Sequence, residues 1–387
     1  MNDFEKKHIN NALRNASLIG RLYDDLVKKM ARLLSQYKPT GAKSVWDGNK
    51  ALERKLDQLL QSFGVTLTGH LKEMIEKDWE LAEQKNDELV KNLLKGSTVT
   101  VAGVVVYDLF NRKRPGKSVR VILKSIKNLF KRKKSDVKLS DVMAAPRRRE
   151  ALLQFLNRKE GGMGLSERVW KLTKLNKSMI EELLHNNIIQ GGSAAQNATH
   201  LKKYLNNPDM YFRRVRNKKT GKLELSARAK EFHPGRGVYR SSYQNALRLA
   251  QTETNMGYRM ADHNRWKNNP TVVGFEVKTS HNHPTEDMCD DLKGEYPKDF
   301  IFTGWHPKCI CYAVPVMLSD KEFESHEDAI LTGQEPKINS KNRVRSVPAG
   351  FNRWIKSKAK ASKGWKNQPY FIRDNFKGGK IEGGLRL

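Results

Sequence analysis

The chain has 387 residues, 38% of them hydrophobic, which is enough for two or three cores joined by polar segments and too long for one. Its 73 Lys and Arg against 42 Asp and Glu give a formal charge of +31, an excess that repels itself and calls for a polyanionic partner. Three cysteines argue against a disulfide framework and suit a reducing compartment, and the longest apolar run, Val99 to Tyr107, is about half the roughly 20 residues of a membrane span, so no membrane partner is expected.

The opening "MNDFEKKHIN" is polar and lacks the apolar core of a secretory leader. Residues 1–110 are expected to form a helical N-terminal region, because Leu56, Leu59, Leu60 and Phe63, then Leu67, Leu71, Ile75, Trp79 and Ala82, recur three and four apart with charges between. The run "TVTVAGVVVYDLF" reads as a buried helix or strand. Residues 111–150 are expected to form a basic helix and linker: 112–134 carries eleven basic residues and no acidic one, with Val119, Ile122, Leu123, Ile126, Leu129 and Phe130 at helical spacing. Arg112, Lys113, Arg114, Lys131, Arg132, Lys133 and Lys134 at its ends are the candidate contacts to nucleic acid or an acidic partner; a solvated helix face and a membrane-surface helix are the alternatives.

In 151–318, Val169, Leu172, Leu175, Met179, Ile180, Leu183 and Leu184 mark a further helical stripe, and "YFRRVRNKKTGKLELS" carries a Thr-Gly turn suited to a hairpin. The helix expected over 241–267 has small residues at Ala246, Ala250, Gly257 and Ala261, where another element can approach closely. Two strand-like runs follow, "VVGFEV" and "CYAVPVM". The fold class expected is α+β, mainly helical, with a small C-terminal β-containing subdomain around a Cys/His cluster. Residues 319–387 read as a basic, partly disordered tail, with thirteen basic and two acidic residues from Lys341 onward and Trp354, Trp365, Tyr370, Phe371 and Phe376 among them.

All three cysteines fall within 23 residues, and "WHPKCICYAVPV" joins two of them to a histidine. Soft thiolates and an imidazole converging on one point are what a structural zinc site takes. Pro307 can turn His306 back toward Cys309, and Cys311 lies two residues on, so the candidate ligands are Cys289, His306, Cys309 and Cys311, with His281 and His283 as alternates. Two other readings stay open: reduced cysteines that fill a core, and a reactive cysteine with His306 as its base. The letters "HNH" at His281 to His283 are adjacent on a loop, not spread over a ββα unit as in the nucleases of that name. The acidic island Glu286, Asp287, Asp290, Asp291, Glu295 and Asp299 can be a Mg²⁺ site or a solvated loop that offsets nearby lysines.

Taken together, "ALRLAQTETNMGYRMADHNRW", "VVGFEVKTSHNHPTEDMCDDLKGEYP", "GWHPKCICYAVPV" and "QPYFIRDNF" resemble the Mu F-like head morphogenesis family, the minor head proteins of tailed phages. The order is a helix with a Thr-Glu pair, a strand, a Cys-Asp turn, then His-Pro-x-Cys-x-Cys entering a strand. The resemblance covers about 165–310. Many members carry Cys-x-x-Cys where this chain has Cys289-Asp290-Asp291-Leu292, so a metal here would recruit His281 or His283. The resemblance implies a low-copy protein without enzymatic activity that acts in procapsid assembly at the portal vertex or inner shell. Portal, capsid or scaffold proteins are its expected partners, with double-stranded DNA a further one. It implies residence in the host cytoplasm during assembly and then in the virion. The competing readings are a stand-alone basic nucleic-acid-binding protein and an ADP-ribosyltransferase-type or metal-dependent enzyme, the former of these enzymes echoed by Arg240-Ser241-Ser242.

Overall fold

The computed structural model describes residues 2–38, 45–93, 98–101, 104–108, 149–190, 201, 215–216, 220, 223–224, 241–280, 287–331, 339–365 and 367–386. It is mainly helical with a small antiparallel sheet, an α+β chain. The basic segment with Arg112, Lys113, Arg114, Lys131, Arg132, Lys133 and Lys134 lies outside the described residues, as do His281 and His283. No helix among the described residues is long and apolar enough to cross a membrane.

The chain divides into two compact units, Met1–Asp78 with Leu152–Gly257 and Trp79–Ala151 with Tyr258–Leu387. Two of the divisions, after residues 78 and 257, fall inside long helices that contribute residues to both units. Those helices are α2 (Lys50–Leu93) and α5 (Ser242–Asn268).

In the first unit α1 (Asp3–Leu34) starts where the Asn2 side chain accepts a hydrogen bond from the Glu5 amide at 2.9 Å, and it buries Ile19, Tyr23, Leu26, Val27, Met30 and Leu34 at helical spacing. The stripe of α2 (Leu56, Leu60, Phe63, Leu67, Leu71) and that of α4 (Leu165–Gln190; Val169, Leu172, Ile180, Leu183) are buried as their spacing predicts. Between α2 and α4 in the chain come a hairpin of β1 (Thr98–Val101) and β2 (Val104–Asp108), which falls in the second unit, then α3 (Arg149–Asn157). The apolar run is therefore a pair of strands in an otherwise helical region. Thr220 of the Thr-Gly pair falls between β3 (Val215–Arg216) and β4 (Leu223–Glu224), which pair Val215 to Glu224.

Small residues in α5 do what their size allows: Ala246 and Ala250 are buried, and a Cβ on Gly257 would sit 3.0 Å from Ile75 and 3.3 Å from the Phe155 ring. Glu253, of the Thr-Glu pair, is 1% exposed and is gripped by Arg158 at 2.8 Å and by both terminal nitrogens of Arg168 at 2.5 and 3.2 Å. Two guanidinium groups supply the compensation a buried carboxylate needs.

The second unit contains β5 (Val272–Lys278), α6 (Met288–Leu292), β6 (Gly294–Tyr296) and β7 (Tyr312–Met317), followed by α7 (Asp320–Leu331), α8 (Ala349–Ser362) and α9 (Tyr370–Asn375). The sheet order is β6-β5-β7, all antiparallel, with Phe275 opposite Tyr296 on one side and Pro315 on the other. The expected strands are β5 and β7, while β6 is too short to stand out in sequence. Trp305 anchors the core, with ring centroids 4.8 Å from Phe302, 5.3 Å from Phe371 and 5.6 Å from Tyr296.

Residues 339–365 and 367–386 are folded, which corrects the expectation of a partly disordered tail for these residues. Val347, Phe351, Phe371, Ile372, Phe376 and Ile381 belong to the same buried cluster as Trp305. The Asn375 side chain accepts from the Ile301 amide at 2.7 Å and donates to the Ile301 carbonyl at 2.8 Å, pairing like a strand residue. Val344 donates its amide to Val273, and a Cβ on Gly274 would strike the Val344 side chain, which explains the glycine in "VVGFEV".

Buried His263 has its pKa driven down to about 4 by desolvation, with the Lys267 charge adding to the fall and Asp299 opposing it. An unfolded histidine titrates near 6.5, so on acidification the unfolded chain takes up a proton that the native state refuses. The contribution is complete above pH 6.5 and is lost as the pH falls through 4. Urea unfolding at pH 7 and at pH 4 should show wild type losing about 3 kcal/mol more than His263→Gln.

Candidate metal centre

Two elements deliver the ligand atoms. Cys289 sits in the first turn of α6, whose start is fixed by a capping box: the Asp287 side chain accepts from the backbone while Asp290 reaches back to the Asp287 amide. His306 to Cys309 form a tight turn closed by the Cys309 amide on the His306 carbonyl at 3.1 Å. Pro307 presets its first corner, and Lys308 takes the second with φ at 61°, the pattern of a type II turn. Cys311 leads directly into β7.

Cys289, His306 and Cys309 offer ligand atoms all within 4.8 Å of one another. The Cys289 sulfur lies 3.1 Å from His306 Nε2 and 4.0 Å from the Cys309 sulfur. His306 Nδ1 is 2.8 Å from the Pro307 carbonyl, which can only accept, so Nδ1 carries the hydrogen and Nε2 is the nitrogen facing the cluster. Asp287 also approaches that nitrogen, at 3.2 Å. The Cys311 thiol interacts with both other thiols, although it stands outside the mutual 4.8 Å spacing of the three.

The thiols do not titrate alike. Contacts from Cys289 and Cys311 hold the Cys309 thiol well below its ordinary value, helped by the charge of Arg259. Those contacts, with burial, push Cys289 up. The contact with Cys289 pulls Cys311 down, but Cys309 and burial outweigh it and raise Cys311 to about 12. Cys309 is thus the most readily ionised of the three. Closely packed thiols ionise together only around a cation, so a divalent ion would take the place of their protons. The donor chemistry fits a metal, and Cys289, His306 and Cys309 are the group that could hold one.

Arg259, which no sequence pattern marked, completes the corner. Buried in α5, it donates from Nη1 to the Thr303 carbonyl at 2.9 Å and from Nη2 to the Cys309 and Cys311 carbonyls at 2.6 Å each. Its guanidinium lies 5.2 Å from the Phe302 ring centroid. Gly304, with φ at 123°, leaves the room this needs, since a Cβ there would collide with the guanidinium. The Gly-Trp before His306 was the visible trace of that arrangement, but glycine alone does not say what passes beside it.

Of the acidic island, Asp290 pairs with Lys293 at 3.3 Å and serves the capping box, Asp287 caps α6, and Glu286 lies outside the described residues. Arg240 is outside them as well, while Ser241 and Ser242 begin α5, with Ser241 Oγ accepting from the Gln244 amide at 3.1 Å. Comparison of the chain with family models, with curated proteins and with solved structures finds no match in any of the three.

Proposed function

We propose that the chain is a minor head protein of a phage or prophage, acting in procapsid assembly at the portal vertex or inner shell, with its C-terminal unit a docking scaffold pinned by zinc. The observation that carries this reading is that Glu253 and Arg259, both on the resembling helix, are committed to architecture. Glu253 is held between Arg158 and Arg168, and Arg259 is spent on three backbone carbonyls. A catalytic acid, base or nucleophile must be free to meet its substrate, whereas these groups have fixed internal partners. Zinc is the metal that three sulfurs and one imidazole suit best, in a structural role that joins α6 to the entry of β7. The charge of +31 suits the negative surroundings of a packed genome, and contact with DNA belongs to the same reading.

Co-expression with the portal protein of the same genome, followed by affinity purification, tests it. A complex that survives physiological salt is expected. A folded chain that never retains portal overturns the reading, and one that retains duplex DNA but no portal puts the stand-alone nucleic-acid-binding protein in its place.

A further inference from the structure

From Lys341 to Gln368 the sequence carries nine Lys and Arg and no Asp or Glu. Within this stretch α8 sorts its residues by face. Phe351 and Ser362 are buried, and Trp354, Ile355 and Ala359 pack on the aromatic core. Arg353, Lys356, Lys360 and Lys363, spaced three, four and three apart, share the opposite face and are all exposed. Lys358 belongs to neither group, because its ammonium lies over the Trp354 ring at 6.0 Å.

The helix that carries these cations is held firmly. Gly350 lets its first turn pass so close to α6 that a Cβ would strike the Asp291 carbonyl, and the apolar face is buried. None of the four cations has an ion pair with a carboxylate among the described residues. Their row spans about 15 Å at 1.5 Å rise per residue. Small Ser357 and Ala361 stand exposed beside them, so a polymer backbone can approach.

We infer that this face of α8 is a binding surface for the phosphodiester backbone of duplex nucleic acid. A regular row of fixed, unpaired cations complements a regular row of phosphates, and it contains no group that would read bases. The features that would favour other anionic partners are missing from it. The apolar side of α8 is consumed by the core, so nothing is left to enter a bilayer. The exposed large hydrophobic residues, Leu13, Val65, Leu153, Trp170 and Val314, all lie on other elements, so the face lacks the apolar anchor of a protein interface. The inference gives the DNA contact of the assembly reading a surface, and it is tested apart from that reading, since portal binding and duplex binding can fail separately.

The test is the salt dependence of full-length protein binding to a mixed-sequence DNA duplex, followed by fluorescence anisotropy. Two variants that each remove four charges are compared with wild type: Arg353→Gln, Lys356→Gln, Lys360→Gln and Lys363→Gln together on α8, and Arg14→Gln, Arg21→Gln, Lys28→Gln and Arg32→Gln together on exposed positions of α1. Circular dichroism establishes that both are folded. The α8 variant is expected to lower the slope of log K against log salt by about 3 to 4, and the α1 variant by less than 1. An α8 variant with an unchanged slope overturns the inference, as does an α1 variant that loses as much, which would make the attraction a matter of total charge. Loss of binding to phosphatidylserine vesicles with duplex binding intact would assign the face to lipid instead.

Discussion

Cys309→Ser is expected to strip the metal from the purified protein and to destabilise the C-terminal unit by about 4 kcal/mol or more, the range reached when a structural metal is lost. The prediction follows from the place of Cys309 in the cluster. It is the thiol that ionises first, it touches both other thiols, and its own amide closes the turn that carries His306. Serine keeps the turn but replaces the soft donor with a hydroxyl that a zinc ion binds poorly. Elemental analysis of wild type should give about one zinc per chain, and of the variant close to none. A chelator separates this outcome from the rival in which the cysteines only fill a core. Treating wild type with it should reproduce the loss of stability seen in the variant. If the thiols are merely packed, the chelator does nothing and Cys309→Ser costs only the burial of a hydroxyl, about 1–3 kcal/mol.

Arg259→Met is expected to cost about 3–5 kcal/mol and to weaken metal binding by about 10- to 100-fold, measured by competition with a chromophoric chelator. Methionine fills most of the arginine volume, so packing loss is small. What disappears is a guanidinium that satisfies the Thr303, Cys309 and Cys311 carbonyls and sets a positive charge beside the thiolate of Cys309. Arg259→Lys restores the charge without the fork that bridges three acceptors. It should therefore recover part of the metal affinity while leaving much of the stability loss. Equal metal affinity in both variants would mean that Arg259 serves the backbone alone.

Much of the architecture was readable because it is periodic. The apolar stripes of α1, α2 and α4 repeat every three to four residues, and the strand runs at 272–278 and 312–317 are rich in branched side chains. The thiols and the histidine could be grouped by spacing alone, because Pro307 fixes a turn between two of the donors. The C-terminal segment failed for the opposite reason. Its aromatic residues are strewn among lysines with no local period, and the partners that bury them, Tyr296, Phe300 and Trp305, are distant in sequence. Arg259 was hidden likewise: its three acceptors are carbonyls, which every residue possesses and no sequence advertises.

The lock between Asn375 and Ile301 has a bearing on how the protein is made. A ribosome delivers Cys289, His306, Cys309 and Cys311 well before Phe351, Phe371, Phe376 and Ile381, the side chains that roof the Trp305 cluster. During that interval the thiols and His306 stand uncovered while their roof is still being synthesised, so they are open to an ion before the core shuts over them. Translation order thereby makes the last helices the elements that complete the core over the thiols and His306.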